Sequence, residues 1–184
     1  MSAMTAVWEP WGRAMTLDEL DALPDDGRRH ELINGTLLVT PAPSWEHQSV
    51  SGELFFLLRK AVPPGLRVAY APVDVRIDDD TNLQPDLLVT EAVHAKGKNL
   101  QVPPLLAVEV LSPSTQLVDR NLKKAVFEAL GSSSFWIVDP LGPSITAWEL
   151  TDGRYVEAGH AEGDEALVLE RPFPVRIVPQ ELVP

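Results

Sequence analysis

Residues 105–124, LLAVEVLSPSTQLVDRNLKK, decide how the rest of this chain is interpreted. The stretch opens with a short apolar run rich in branched side chains and ends at Ser112-Pro113-Ser114, a pattern typical of a buried β-strand. Glu109 is the only charged residue in that strand. Because an unpaired carboxylate in a nonpolar interior is costly, Glu109 must be paired with a base, protonated or bound to a metal ion.

Asp86 stands in a similar relation to an earlier apolar run. It follows Pro85 and precedes Leu87, at the mouth of another short buried strand. If the two strands are neighbours, both carboxylates can converge on one divalent ion, and the backbone carbonyl of Val110 could add a third oxygen ligand. The competing interpretation makes Asp86 a turn residue and pairs Glu109 with a buried base, and spacing alone favours neither.

A helix is predicted directly after the Glu109 strand, from about residue 115 to residue 130, with Gly131 as its C-cap. Its apolar positions are Leu122, Val126, Ala129 and Leu130. These positions recur at helical spacing, so the helix is expected to pack one face against the sheet.

Lys123 lies on that predicted helix and has two interpretations. An ammonium close to a metal site could orient the attacking water or stabilise the charge of the transition state. Taken alone, however, Asp119 and Lys123 are four residues apart and more simply form a surface ion pair. Arg120 and Lys124 occupy the adjacent row and are expected to face solvent or a phosphate.

Two hairpins and a long helix complete the main elements. Asn34-Gly35 and Asp152-Gly153 are turn dipeptides between apolar runs, and Glu31 begins the first strand of the earlier hairpin. A helix capped by Ser44 is expected to end before Pro63. His47 lies in its first turn, where a histidine is more often a surface or capping residue than a ligand. Alternation over residues 73–77 predicts a strand with one solvated face.

Composition restricts the class of protein. The chain has 184 residues, 45% of them hydrophobic, which favours one globular domain with a substantial core. Its 27 acidic and 15 basic residues give a net charge of −12, which argues against non-specific binding to nucleic acids or anionic membranes. It has no cysteine, which excludes disulfides, thiolate metal sites and cysteine nucleophiles. Residues 94–98 form a small basic island that includes Lys96 and Lys98.

Five blocks of this sequence, taken together and in order, resemble the Uma-type restriction endonuclease family, a branch of the PD-(D/E)XK nuclease superfamily. They are HELING at 30–35, PD at 85–86, VEVLSPS at 108–114, DRNLK at 119–123 and WIVDP at 136–140. The likeness runs from about Met15 to near the C-terminus.

The resemblance implies roles for individual residues. Asp86 and Glu109 match the superfamily's metal-binding acids, and Glu31 matches an acidic residue near the site. The superfamily's lysine is expected two residues after the glutamate, where this chain has Leu111. Lys123 matches a lysine that has moved to the following helix, which is chemically reasonable because only the ammonium must reach the site.

The sequence therefore predicts an α/β, restriction-endonuclease-like domain over residues 15–184, with a central mixed sheet, flanking helices and peripheral hairpins, after a leader over residues 1–14 that is disordered or a docking arm. The predicted function is Mg²⁺- or Mn²⁺-dependent hydrolysis of DNA. Asp86, Glu109, Val110 and Glu31 are the expected metal site, Lys123 the catalytic lysine, and Lys96, Lys98, Arg120 and Lys124 the DNA contacts.

The alternative function is a non-catalytic regulatory or interaction domain on the same scaffold, since a fold does not determine a function. A cytoplasmic protein without a membrane span is expected, because no apolar run approaches the length needed to cross a bilayer. A homodimer is also expected, because two-fold symmetry suits double-strand cleavage.

Overall fold

The computed structural model of the protein describes residues 7–9, 13–112 and 118–184, with side chains for 13–112 and 121–184. Its strands in chain order are β1 (Val7–Glu9), β2 (Arg29–Ile33), β3 (Thr36–Thr40), β4 (Leu66–Tyr70), β5 (Asp74–Val75), β6 (Leu87–Glu91), β7 (Asn99–Leu100), β8 (Leu106–Val110), β9 (Ser134–Asp139), β10 (Ser144–Thr151), β11 (Arg154–Glu162), β12 (Leu167–Leu169) and β13 (Val175–Ile177). The helices are α1 (Leu17–Asp21), α2 (Trp45–Ala61), α3 (Lys124–Leu130), a π-helix over Val118–Lys123 and a 3₁₀ helix over Pro179–Leu182.

A six-stranded mixed sheet, in the order β11-β10-β9-β8-β6-β4, forms the centre of the fold. The pair β8–β9 is parallel and the other four pairs are antiparallel. This architecture confirms the predicted α/β class with a central mixed sheet. None of the helices in the described ranges is long and apolar enough to cross a membrane.

The register of the two central strands positions the acids. Leu87 of β6 pairs with Val108 of β8 in an antiparallel register. If the same register continues by one residue, Asp86, which immediately precedes β6, lies opposite Glu109. The two carboxylates predicted from separate parts of the sequence therefore lie on neighbouring strands.

Each face of the central sheet has its own core. On one face α2 packs through Val50, Leu54 and Leu58 against apolar side chains of β6, β8 and β9. On the other face α3 contributes Val126 and Phe127 to a second cluster. These two layers enclose the central strands that lead to Asp86 and Glu109.

A second, three-stranded sheet in the order β1-β3-β2 carries the earlier hairpin. Asn34 and Gly35 have φ angles of 48° and 74°, the left-handed region that the predicted two-residue turn requires. An isolated bridge between Leu32 and Asn82 ties this hairpin to the segment that leads into Asp86.

Two predicted elements differ from the structure. The regular α-helix expected from residue 115 is instead π-helical over Val118–Lys123 before α3 begins, and residues 113–117 lie outside the described ranges. The strand expected over residues 73–77 is limited to β5, because its partner β7 is equally short. The predicted C-cap is confirmed, since Gly131 has the left-handed φ of 87°.

Candidate active site

Strand β2 supplies the first two groups of the site. Arg29 and Glu31 are two residues apart, so alternation along the strand directs both side chains to the same face. Glu31 is fully buried, and its Oε1 accepts a hydrogen bond of 2.8 Å from the backbone N–H of Gln84. Arg29 Nε lies 3.5 Å from Glu31 Oε2. The hairpin therefore delivers a carboxylate and a guanidinium to the end of the central sheet.

Asp86 is held by three donors. Arg29 Nη1 donates to its Oδ1 at 3.0 Å, and His47 Nε2 and the Val110 N–H contact its Oδ2 at 3.0 and 2.8 Å. Burial raises the pKa of the Asp86 carboxyl, but the His47 hydrogen bond and the charges of Arg29, His47 and Lys123 outweigh it. The pKa of Asp86 is consequently well below its usual range, and the group is an anion at neutral pH.

Lys123 joins the other two carboxylates. Its Nζ lies 3.0 Å from Glu31 Oε2 and 3.2 Å from Glu109 Oε1, and both Lys123 and Glu109 are completely buried. A buried ammonium is stabilised only when opposite charges and hydrogen bonds compensate for its lost hydration. The two glutamates provide that compensation.

The phase of the helix explains why Lys123 is buried. Lys123 precedes Val126, Phe127 and Leu130 by three, four and seven residues, the spacing of a single helix face. Val126 and Phe127 are buried in the core on that side of the sheet. The expected surface position of Lys123 is therefore wrong, whereas the side chain of Asp119 lies outside the described part of the chain. The apolar face includes Phe127 in place of the exposed Ala129.

The carboxylates of the site outnumber its permanent cations. Glu31, Asp86 and Glu109 are balanced by Arg29 and Lys123, which leaves one net negative charge when His47 is neutral. Within residues 13–112 and 121–184, no group of three or more histidine, aspartate or glutamate side chains is arranged to hold a metal ion by itself. The site thus combines carboxylate oxygens, which suit a cation, with an ammonium, which suits an anion, and these groups are paired with one another in the structure.

The structure brings together five residues that the sequence singles out. Lys123 contacts Glu31 and Glu109, and the Val110 N–H contacts Asp86. Arg29 links the two groups, because it lies close to both Glu31 and Asp86. The roles assigned to these residues stay predictions, whereas their proximity is an observed property of the fold.

Arg29 and His47 are site residues that the sequence analysis misses. His47 is expected there at the surface, but only 8% of it is exposed and it binds Asp86 directly. Arg29 lies two residues before Glu31 on the same strand, so alternation places both side chains on one face. This spacing could have indicated Arg29 as a site residue. For His47 the helical spacing could have indicated burial. It precedes the buried Val50, Ser51 and Leu54 by three, four and seven residues, so it lies on the same face of the helix.

The predicted DNA contacts occupy different places. Lys96 and Lys98 are exposed and, with Arg67 and His94, line a cavity of about 250 Å³ beside Thr90. Thr90 lies four residues beyond Asp86, or about 13 Å along β6.

The other two predicted contacts lie on the helical segment. Lys124 is half-buried, with its Nζ 4.3 Å from the centre of the Trp148 ring. The side chain of Arg120 lies outside the described part of the chain.

Comparison with known proteins gives an independent assignment. A family described as "Uma2: Putative restriction endonuclease" matches residues 17–180. A crystal structure titled as a putative nuclease belonging to DUF820 from Anabaena variabilis ATCC 29413 superposes with a TM-score of 0.74 and 18% sequence identity, covering 91% of this chain and 97% of that one. No curated protein sequence matches significantly. The chain therefore belongs to the Uma2 family, and it shares its fold with the Anabaena variabilis protein.

Proposed function

We propose that this protein is a Mg²⁺-dependent endonuclease that hydrolyses DNA phosphodiester bonds. The main support for the proposal is that Glu31 and Glu109 are buried against the ammonium of Lys123, with Asp86 buried beside them on the neighbouring strand. Buried charges of this number destabilise a fold unless they are compensated, and perturbed ionisable groups cluster at functional sites. Family membership supplies the reaction class.

The donors available fit a hard divalent cation. Mg²⁺ prefers oxygen ligands and typically uses one or two carboxylates, with water and substrate phosphate completing its shell. Asp86 and Glu109 lie on neighbouring strands and can provide these two carboxylates. The Val110 carbonyl stays a candidate third ligand, while the Val110 N–H already fixes the Asp86 carboxylate.

The residues around these acids orient them. Arg29 and His47 bind opposite oxygens of Asp86, so the carboxylate has little freedom to rotate. Partners of this kind tune and fix metal ligands in proteins. When bound, the divalent ion would polarise the phosphodiester and lower the pKa of a bound water.

Lys123 is the group we assign to the reacting phosphate. Its Nζ is held between Glu31 and Glu109 and is completely buried, so the site must open before a substrate can reach it. From there it can donate a hydrogen bond to the attacking water or to the phosphate oxygen that gains charge. Because Glu31 contacts Lys123, we propose that Glu31 holds the lysine in place and is not a metal ligand.

Binding of DNA by a protein with a net charge of −12 needs local positive charge. Lys96 and Lys98 are exposed, so both ammonium groups are accessible to phosphates. We propose that the 94–98 loop contacts the DNA backbone away from the scissile phosphate. Such backbone contacts would position the duplex without recognising its base sequence.

Cleavage of supercoiled plasmid DNA in the presence of Mg²⁺ or Mn²⁺, compared with EDTA, tests the proposal. Wild type and Arg154→Met, an exposed control, should nick or linearise the plasmid only with the metal, whereas Glu109→Gln and Lys123→Met should lose most of this activity. Circular dichroism establishes that each variant is folded, and Lys123→Arg retains the charge if Lys123→Met is unstable.

A non-catalytic domain on the same scaffold predicts a different outcome. It would show neither metal-dependent cleavage of any DNA form nor a rise in melting temperature with Mn²⁺, since a ligand that binds only the native state must stabilise it. That pair of results would overturn the proposed function.

A further inference from the structure

The solvent-facing side of α2 exposes two large aromatic side chains. Trp45 is 80% exposed and Phe56 is 60% exposed, although α2 packs its other side into the core through Val50, Leu54 and Leu58. Exposed aromatic groups that share one surface mark an interaction site more often than scattered apolar residues do.

Helical geometry puts both aromatic residues on one stripe. Trp45 and Phe56 are 11 residues apart, which corresponds to about three turns and about 16 Å along the axis. Ser49 and Gly52 lie between them on the same stripe, and a Cβ atom added at Gly52 would meet nothing within 4 Å. The face thus has a bulky group at each end and a shallow centre.

We infer that this face of α2 binds the same face of a second copy of the chain, with the two helices antiparallel about a two-fold axis. In that arrangement Trp45 of one copy lies against Phe56 of the other, and Ser49 of one copy faces Gly52 of the other. The surface is complementary to itself, as an isologous interface requires. The small central residues let the two backbones approach closely.

A cavity beside Phe56 provides space for the indole ring. It has a volume of about 440 Å³ and lies between α2 and the C-terminal segment, where it is lined by Phe56, Leu57, Lys60, Pro174 and Val175 among others. In the antiparallel arrangement Trp45 of the second copy arrives at the mouth of this cavity. An aromatic anchor that fills a pocket at the partner is typical of the residues that dominate interface energies.

The charges of α2 favour the antiparallel orientation. Glu46 lies in the first turn, and Arg59 and Lys60 lie in the last turn. Antiparallel packing brings Glu46 of one copy beside Lys60 of the other, whereas parallel packing places like charges together. Lys60 Nζ also lies 5.2 Å from the centre of the Phe56 ring, so it is already held at the end of the stripe.

The exposed aromatic groups supply part of the area of a dimer interface. Because Trp45 is 80% exposed and Phe56 is 60% exposed, two copies of each, at about 150–250 Å² for a whole side chain, can supply roughly a third of the 1,200–2,000 Å² that a specific interface buries. The flanking residues of α2 and the cavity rim supply the remainder. This inference does not depend on the proposed nuclease activity.

Sedimentation equilibrium over a range of protein concentrations tests the interface. The mass of wild type should rise toward twice the 20.2 kDa of one chain, while Trp45→Glu and Phe56→Glu should stay at the mass of one chain. Leu141→Glu is the matched control, because Leu141 is 74% exposed at another site. Glu46→Lys should weaken the dimer, and Glu46→Lys with Lys60→Glu should restore it.

Cysteine cross-linking tests the orientation, since the chain has no cysteine of its own. A mixture of Ser49→Cys and Gly52→Cys chains should form a mixed disulfide faster than either variant forms one alone. A wild type that stays monomeric at every concentration would overturn the inference. So would a dimer that persists in both Trp45→Glu and Phe56→Glu, or a mixed disulfide that forms no faster than the disulfide of either variant alone.

Discussion

The Nζ atom of Lys123 lies 3.0 Å from Oε2 of Glu31, and both side chains are completely shielded from solvent. Glu31 belongs to the peripheral hairpin, whereas Lys123 ends the π-helix that follows the central strand β8. This contact joins two parts of the fold that share no sheet. It makes the stability of the site directly dependent on the docking of the hairpin.

Lys123→Met should destabilise the protein at neutral pH. The substitution leaves Glu31 and Glu109 as buried like charges, and breaking a buried ion pair in this way costs about 3–5 kcal/mol. Lys124→Met is the control, since removal of its ammonium from the Trp148 ring should cost about 0.5–1 kcal/mol. Urea denaturation measures both values. Equal destabilisation of the two variants would show that the buried ammonium of Lys123 contributes no more to the free energy of unfolding than the half-buried ammonium of Lys124.

Asp86 and Glu109 should bind one divalent ion together. Calorimetric titration of Mn²⁺ should give one site in wild type and in Glu165→Gln, an exposed control, and strongly reduced binding in Glu109→Gln and Asp86→Asn. The reason is that each variant removes one of the two anionic oxygen ligands. If the two site variants bound Mn²⁺ as wild type does, the ion would have to bind elsewhere.

Lys96→Ala combined with Lys98→Ala should weaken DNA binding and flatten its salt dependence. The slope of log K against log salt falls by about one for each phosphate that the protein no longer neutralises. Anisotropy titrations in EDTA measure this without cleavage. Arg154→Ala with Arg171→Ala removes the same charge from the opposite end of the central sheet and should leave the slope unchanged, because Arg154 lies on the edge strand β11 and Arg171 contacts Glu149 of the neighbouring β10. Identical slopes for the two double variants would exclude a specific role for the loop.

The low pKa of Asp86 predicts the acid sensitivity of the metal-free protein. The ionised Asp86 carboxylate contributes fully to the free energy of unfolding above the unfolded-state pKa of about 3.9, and this contribution is lost as the pH falls below that value. The stability difference between wild type and Asp86→Asn in EDTA should therefore shrink below about pH 4, by at most about 1.4 kcal/mol per pH unit. Asp164→Asn, an exposed control, should show no comparable change. A difference that is constant with pH would contradict the assignment.

The sheet and its hairpins could be predicted because their signals are local. Alternation, apolar runs and the dipeptides Asn34-Gly35 and Asp152-Gly153 act within a few residues, and the structure has a turn at each. The two acids were recognisable for the same reason, since each interrupts or precedes a run that is otherwise apolar.

The partners of those acids could not be identified in the same way. Whether Lys123 pairs with Asp119 or enters the core depends on contacts with β2 and β8, which lie far away in the sequence. The same holds for His47, because its partner Asp86 belongs to another element. The π-helical turn also escapes prediction, since it reflects how the connection fits over the sheet more than any local preference.

The parallel pairing of β8 and β9 has a consequence for the order of folding. Parallel neighbours need a connection that crosses a face of the sheet, and here that connection carries Lys123. Glu31, Asp86 and Glu109 precede it on the chain together with Arg29, so we expect the repulsion that Arg29 leaves uncompensated to persist until the crossover docks. Long-range contacts of this kind close late. A nascent chain that has not yet formed β9, which ends at Asp139 of 184 residues, should therefore lack the assembled site.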